Sequence, residues 1–229
     1  ISGRGNISSG DGHIIMNFPK VLRQGLLGLL EEVRAARAAV SPYDAFSIKK
    51  RIFYQAVEIS LEAAIRFARR YAAEAKRQAG ETGDVIRKAE LERIAEVCDR
   101  VPALPARNFQ EAVQCVWFMH LVSQIESNGH SFSLGRFDQY TYPFYRADLE
   151  AGRLSPEQAQ ELLALLWLKL FSIIKIRPWQ HTRYGIGYPT YQNVTIGGQT
   201  PAGEDATNDI SYMVLETIRD TRLTQPNVS

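Results

Sequence analysis

Hydrophobic residues recur at intervals of three and four through most of the first 180 positions, a spacing that places them on one face of an α-helix. A helix is predicted to begin after Asn17, with an apolar face from Val21 to Val33 and Pro19 in its first turn. Further helices are predicted over about 45–79, 84–100, 108–121 and 155–176. The buried stripe predicted for the helix over 45–79 comprises Phe53, Val57, Leu61, Ala64, Phe67 and Tyr71. Most of the chain is therefore predicted to be helical.

Two helix starts carry a capping box, in which the N-cap residue and the residue three positions later bind each other's backbone N–H groups. These are Asn108-Phe-Gln-Glu111 and Ser155-Pro-Glu-Gln158. The helix after Ser155 is apolar on nearly every side, and such a helix is normally buried inside a large body. We therefore expect the 229 residues to be a piece of a longer protein.

Strand signals come late in the chain. Residues 191–196 alternate β-branched and polar side chains and run into a pair of glycines, which is typical of a β-strand. A helix capped by Asp205 or Thr207 and ending near Thr221 follows, and extended chain resumes over 223–229. Strand, crossover helix and strand form a βαβ unit. The fold class is therefore predicted to be α/β, with a parallel sheet wrapped by the helical part.

The composition excludes several classes of protein. Hydrophobic residues make up 45% and charged residues 23%, as in globular proteins rather than disordered ones. The net charge of +2 falls far short of a strongly basic nucleic-acid binder, and no apolar run reaches the ~20 residues of a membrane span. Cys98 and Cys115 are too few for a disulfide scaffold and are interpreted as buried reduced thiols of a cytosolic protein.

Candidate chemistry lies in three polar loops, over 10–13, 126–131 and 178–189. Glycine-flanked His, Ser and Asn residues in loops can surround a small polar ligand. His130 is the strongest single candidate because Asn128 and Ser131 lie beside it, whereas no metal-ligand spacing or phosphate-binding loop is present in the sequence.

Three other polar residues are interpreted as structural. His120 lies on the apolar face of a predicted helix, which is typical of a hydrogen-bonded core histidine. Arg136 and Asp138 are predicted to form an ion pair with each other.

Short runs within these loops resemble a known family. They are Gly12-His13, Lys20-Val-Leu22 with Gly25, Glu126-Ser-Asn-Gly-His130-Ser131, Gly135-Arg-Phe-Asp-Gln139, Tyr142-Pro143, Gly187-Tyr-Pro189, Gln192-Asn193, Gly197-Gly-Gln199, Asp205-Ala-Thr-Asn208 and Gln225-Pro226. Together they make the whole chain similar to the glycyl radical enzymes of the pyruvate formate-lyase superfamily. The similarity is greatest to the branch of glycerol and diol dehydratases and choline lyases.

This resemblance implies a fold and a radical apparatus. The fold would be a ten-stranded α/β barrel wrapped by helices, of which residues 1–229 form part of the pyruvate formate-lyase domain. The loop with the thiyl-radical cysteine and the C-terminal loop with the radical glycine would lie in the remainder of the polypeptide. Neither Cys98 nor Cys115 matches that cysteine, so no catalytic or metal-binding residue is assigned to this chain. The resemblance also implies a cytoplasmic homodimer and a radical S-adenosylmethionine iron–sulfur activating enzyme as partner.

The substrate site is the part of the resemblance that this chain can carry. By comparison with the glycerol dehydratase pattern, His13, His130 and Ser131 would lie against substrate hydroxyl groups. Pyruvate formate-lyase tends to have arginine at the position of His13, and arginine suits a carboxylate. The loop Trp179–Arg183 matches no branch of known substrate, so the resemblance leaves the substrate itself open.

The expected function is therefore that of a glycyl radical lyase or dehydratase acting on a small hydroxylated substrate, of which this chain alone would be inactive. Formate C-acetyltransferase is the alternative within the superfamily. A non-catalytic helical binding module is the alternative of a different class, but it would not need a larger body to bury the helix after Ser155.

The coding sequence is expected to continue beyond Ser229, because the residues that would carry the radical are not in this chain. Sequencing the downstream DNA should find a loop with a cysteine and a C-terminal loop with a glycine. A natural stop codon directly after Ser229 would contradict this expectation.

Overall fold

The computed structural model describes residues 13–43, 45–127, 131–174, 183 and 191–229. Its named helices are α1 (Phe18–Ala38), α2 (Ser47–Glu81), α3 (Val85–Arg100), α4 (Phe109–Ser127), α5 (Phe137–Glu150), α6 (Pro156–Phe171) and α7 (Asp209–Thr221). The strands are β1 (Gly135–Arg136), β2 (Asn193–Thr195) and β3 (Asn227–Val228). The chain divides into two compact units, Pro19–Phe118 and the described residues up to Phe18 together with Met119–Ser229.

The unit Pro19–Phe118, called the helical unit, contains α2, and mostly small side chains form the buried face of this helix. The buried residues of this helix are Ala64, Ile65, Ala68, Ala72, Ala75 and Ala79. The buried stripe predicted from the sequence is therefore partly wrong. Ala64 is buried as predicted, but Phe53 is 63% exposed and Tyr71 50% exposed. Ala68 and Ala72 belong to a core cluster with Cys98 of α3, where the small alanine side chain leaves room for close packing of the helices.

A glycine interrupts α1 where another segment of the helical unit approaches it. Gly25 has φ 67°, and a Cβ atom added there would lie 2.5 Å from the carbonyl oxygen of Ala103. The backbone N–H groups of Leu26 and Leu27 donate to the carbonyls of Pro102 and Ala103 at 2.8 and 3.0 Å. The break in the helix thus lets main chain pair with main chain, which no residue with a side chain would permit.

Parallel pairing organises the second unit. The strands lie in the order β1-β2-β3, with Gly135 paired to Val194 and Asn193 paired to Asn227. A parallel bridge between Ile15 and Ser133 adds a fourth extended segment beside β1. The predicted βαβ unit is confirmed as β2, α7 and β3.

The caps of this unit follow the sequence closely but not everywhere. The capping box at Ser155 is present, with Gln158 N–H donating to Ser155 Oγ at 3.2 Å. The cap of α7 is Asn208 rather than either predicted residue. Asp205 instead accepts the N–H of Thr207 at 2.9 Å in the turn before the helix. Helix α5 was not predicted, because Pro143 lies inside it and its buried positions include Asp138.

Helix α6 has apolar side chains on two faces. One face, with Leu163, Leu166, Trp167 and Leu170, is buried. Leu165, Leu168 and Phe171 on the other face remain between 47% and 51% exposed. The described residues therefore leave one apolar side of α6 open. Within the described ranges, no helix combines the length and apolar character needed to cross a bilayer.

The isolated 229-residue protein is expected to self-associate or to bind a hydrophobic dye, because exposed apolar patches of this kind drive association. The double substitution Leu165→Lys and Leu168→Lys should reduce dye binding, whereas Glu161→Gln on the same helix should leave it unchanged. Dye fluorescence and light scattering measure both effects. A monomer that binds no dye and melts in one sharp cooperative transition would contradict this prediction.

Candidate functional site

Three residues with an unusual backbone conformation precede the paired segments. His13, Ser131 and Tyr191 have φ values of 63°, 56° and 51°, in the left-handed region that residues other than glycine seldom adopt. Each lies two residues before a residue that pairs in the sheet, namely Ile15, Ser133 and Asn193. Strained backbone of this kind is concentrated at functional sites. The N-terminal ends of the parallel segments are therefore the candidate site.

Two of the predicted site residues lie at this end. Ile15 pairs with Ser133, and the N–H of Ser133 donates to the carbonyl of Ile14 at 3.0 Å. Counting back two residues on both segments leads to His13 and Ser131, which therefore begin neighbouring parallel segments. His13 is exposed and Ser131 is buried. His130 lies outside the described residues, as does the predicted loop over 178–189 except for Arg183.

A buried polar network that the sequence did not reveal lies directly behind this end of the sheet. Nε2 of His120 lies 2.7 Å from Oε1 of Gln192, and Gln192 Nε2 donates to the carbonyl of Leu170 at 2.9 Å. The backbone N–H of Gln192 in turn donates to Oε1 of Gln225 at 3.3 Å. His120 is thus confirmed as a hydrogen-bonded core histidine, and Gln124 contacts the same ring nitrogen at 3.0 Å. We call Gln124, His120, Gln192 and Gln225 the His120 network.

The contacts of Gln192 fix the tautomer of His120. The Gln192 amide nitrogen is occupied by Leu170, so its oxygen faces the imidazole as an acceptor. The neutral ring must therefore carry its hydrogen on Nε2. Turning over the Gln124 amide, whose oxygen has no partner among the described residues, lets that oxygen share the same N–H. Burial lowers the pKa of His120 to about 4, so the ring is neutral at neutral pH.

The opposite, C-terminal end of the strands is held together by residues that the sequence assigned to an ion pair. That prediction is wrong, because Arg136 and Asp138 both bind the loop after β2 instead of each other. Arg136 donates to the carbonyls of Gly197 and Gln199 at 2.6 and 3.0 Å. The fully buried carboxylate of Asp138 accepts the N–H of Gly197 at 2.6 Å.

The same carboxylate also binds the helix that follows this loop. Oδ2 of Asp138 accepts from the hydroxyl group of Ser211 in the first turn of α7. Gln139 adds a bond from its amide to the carbonyl of Ala206 at 2.7 Å. These bonds hold the loop after β2 and the start of α7 in place, so they have a structural role at this end of the strands. The candidate site is the N-terminal end, where the left-handed residues lie.

The comparisons with known proteins give this fold a family. A family model described as pyruvate formate lyase-like matches residues 2–229. The chain belongs to the pyruvate formate lyase-like family. This confirms the resemblance that the motifs carry.

Individual relatives in this family are similar along nearly the whole chain. The probable dehydratase YbiW of Escherichia coli strain K12 is 43% identical over 233 residues, which cover 100% of this chain and 29% of that protein. A solved structure titled for 1,2-propanediol dehydration in Roseburia inulinivorans superposes with a TM-score of 0.93 at 43% identity, over 96% of this chain and 28% of that one. The glycerol-bound form of the B12-independent glycerol dehydratase from Clostridium butyricum gives 0.90 at 44%, with the same coverage. The chain spans less than a third of the length of these relatives.

The two cysteines of this pyruvate formate lyase-like chain are unreactive by position. Cys98 and Cys115 are free and buried. Burial raises the pKa of the Cys98 thiol to about 11 and that of the Cys115 thiol to about 12. Neither thiol is therefore suited to catalysis, since a reactive cysteine is partly exposed and has a lowered pKa.

Acid should destabilise the protein through His120. The unfolded chain takes up a proton near pH 6.5, whereas the folded residue does so only near pH 4. Stability contributed by the neutral ring is therefore fully present above about pH 6.5 and is lost progressively as the pH falls to about 4, by about 3 kcal/mol. Melting temperatures between pH 4 and 7.5 should show a smaller acid dependence in His120→Gln than in the wild type.

Val214→Ala provides the matched control, because it removes apolar volume from a fully buried site that does not titrate. It should lower the melting temperature at every pH without changing the slope. Equal slopes in His120→Gln and the wild type would contradict the role given to His120.

Proposed function

We propose that this chain forms part of the substrate-binding barrel of a glycyl radical dehydratase or lyase that acts on a small hydroxylated compound. The observation that carries the proposal is the pairing of Ile15 with Ser133, which brings the starts of the His13 and Ser131 segments to one end of the sheet. Family membership and the dehydratases among the relatives support the same class of reaction.

The chemistry of these side chains suits hydroxyl groups. An imidazole and a serine hydroxyl can each donate and accept a hydrogen bond, so together they match a vicinal diol. The planar fork of an arginine would instead suit a carboxylate. His130, beside Ser131 in the chain, would be the third contact. A polar substrate in a water-poor pocket needs such partners, because unpaired buried polar groups are costly.

The radical step would be supplied from outside this chain. A glycyl radical, which a radical S-adenosylmethionine iron–sulfur enzyme would install in the remainder of the polypeptide, would supply the hydrogen-atom chemistry. The role of His13, His130 and Ser131 would be to hold the hydroxyl groups so that one C–H bond faces the reacting radical. The remainder of the polypeptide would complete the ten-stranded barrel of a cytoplasmic homodimer, with residues 1–229 as part of the pyruvate formate-lyase domain.

Formate C-acetyltransferase is the alternative, and the name of the matching family model favours it. It requires a carboxylate-binding cation, and His13 occupies the position where the resemblance leads us to expect arginine. Assays of the activated protein with 1,2-propanediol and glycerol, and separately with pyruvate and coenzyme A, distinguish the two. Turnover of pyruvate without turnover of any diol would overturn the proposal.

His13→Ala and Ser131→Ala should each impair turnover by the activated full-length enzyme and leave the yield of glycyl radical intact. One lost hydrogen bond is worth roughly 0.5–1.5 kcal/mol, and more where a buried partner is stranded. A loss of about 1.4 kcal/mol in the transition state lowers the rate about tenfold. Steady-state kinetics measure turnover, and electron paramagnetic resonance measures the radical.

Ser60→Ala is the matched control, since Ser60 is an exposed residue of α2 whose hydroxyl group donates to the carbonyl of Ala56 in the same helix. It should keep wild-type kinetics. If His13→Ala and Ser131→Ala also kept them at equal radical content, both residues would be ordinary loop residues and the substrate site would be wrong.

A further inference from the structure

We propose that His120 and Gln192 are positioning residues, which hold the N-terminal end of the sheet in the arrangement that the substrate site requires; this inference rests on the proposed function. Neither side chain would touch substrate. Their role would be to join α4, which precedes Ser131 in the chain, to the start of β2.

The contacts of the pair connect separate segments of the unit. His120 lies on α4, and Gln192 is the residue immediately before β2. From Gln192, the side chain reaches the carbonyl of Leu170 in α6, and the backbone N–H reaches Gln225 just before β3. One histidine–amide contact of 2.7 Å therefore sits at the junction of two helices and two strands.

The junction lies next to the site in the register of the sheet. Gly135 pairs with Val194, so two residues earlier Ser133 lies beside Gln192. Ser133 also pairs with Ile15 on its other side. Gln192, Ser133 and Ile15 therefore lie side by side across the sheet. Ser131 and His13 each lie two residues before their segment reaches this row. A displacement of Gln192 would shift the starts of all three neighbouring segments.

The polar character of the pair argues for a positioning role over simple core packing. His120 and Gln192 are 1% and 0% exposed, and an apolar pair could fill this volume without the cost of dehydrating an imidazole and an amide. Hydrogen bonds have direction, so the Nε2–H of His120 can donate to the Gln192 oxygen only when that oxygen lies near the N–H axis. A buried polar network of this kind specifies one arrangement where apolar side chains would tolerate several.

The test compares variants of the activated full-length enzyme at equal glycyl radical content and well below their melting temperatures. His120→Leu removes the N–H donor, Gln192→Met removes the amide at nearly constant volume, and Val214→Ala is a control with a similar apolar core defect outside the network. We expect His120→Leu and Gln192→Met each to lower kcat/KM for a diol about tenfold or more, since small misplacements of substrate-binding groups cost that much. The double variant should be little worse than either single variant, and Val214→Ala should stay within about twofold of the wild type.

Backbone hydrogen exchange gives a second measurement that needs no turnover. Exchange in peptides covering 131–136 and 191–195 should accelerate in His120→Leu and Gln192→Met but not in Val214→Ala. His120→Gln, which keeps an N–H donor, should recover part of both the kinetic and the exchange defect. If His120→Leu does not fold, Gln192→Met carries the same comparison.

Two results would overturn the inference. One is wild-type kcat/KM and wild-type exchange in both His120→Leu and Gln192→Met. The other is a kinetic loss in Val214→Ala as large as theirs, which would reduce the pair to ordinary core residues. A wild-type enzyme that turns over no hydroxylated substrate would instead overturn the proposed function, and the exchange measurement would then still decide whether the pair holds the strand starts.

Discussion

Parallel pairing of strands is the constraint on which the unit containing Met119–Ser229 depends. Segments that run in the same direction cannot be joined by a tight turn, so the chain must return along the outside of the sheet before each new strand. Helices α5 and α6 lie between β1 and β2 in the chain, and α7 lies between β2 and β3. All the strand starts therefore gather at one end and all the strand exits at the other. Residues more than a hundred positions apart, such as His13 and Ser131, become neighbours for this reason.

The C-terminal and N-terminal ends of the parallel strands differ in what their side chains do. At the C-terminal ends of the strands, Arg136 and Asp138 form hydrogen bonds with the loop after β2, and Asp138 also bonds to the first turn of α7. At the starts, three residues have a left-handed backbone, and the imidazole of His120 contacts Gln192, the residue immediately before β2. Residues that make this chain resemble one family thus fall into two groups. One group binds the loop after β2 and the start of α7, and the other lies at the starts of the parallel segments.

Local signals in the sequence predicted the elements well, whereas distant partners could not be read from it. The capping box at Ser155 and the βαβ unit depend on residues close in the chain, and both are present. The pairing of Arg136 with Asp138 was inferred from closeness in sequence and failed because both partners lie about sixty residues away. Most of the alanine face of α2 was not predicted to be buried, because the prediction gave more weight to large side chains. Small side chains nevertheless allow closer packing of helices. The left-handed backbone of His13 and Ser131 carries no sequence signal without glycine, and His130 lies outside the described residues.

The burial of Cys98 and Cys115 has a practical consequence for locating a reactive thiol. With pKa values raised by burial to about 11 and about 12, less than about one in a thousand of either thiol is ionised near neutral pH, and both are shielded from solvent. An alkylating reagent will therefore leave this stretch of native chain unlabelled. In any longer form of the protein, every label taken up before unfolding would therefore mark a cysteine outside these 229 residues, and mass spectrometry of the labelled peptides would identify which cysteines are accessible and ionised.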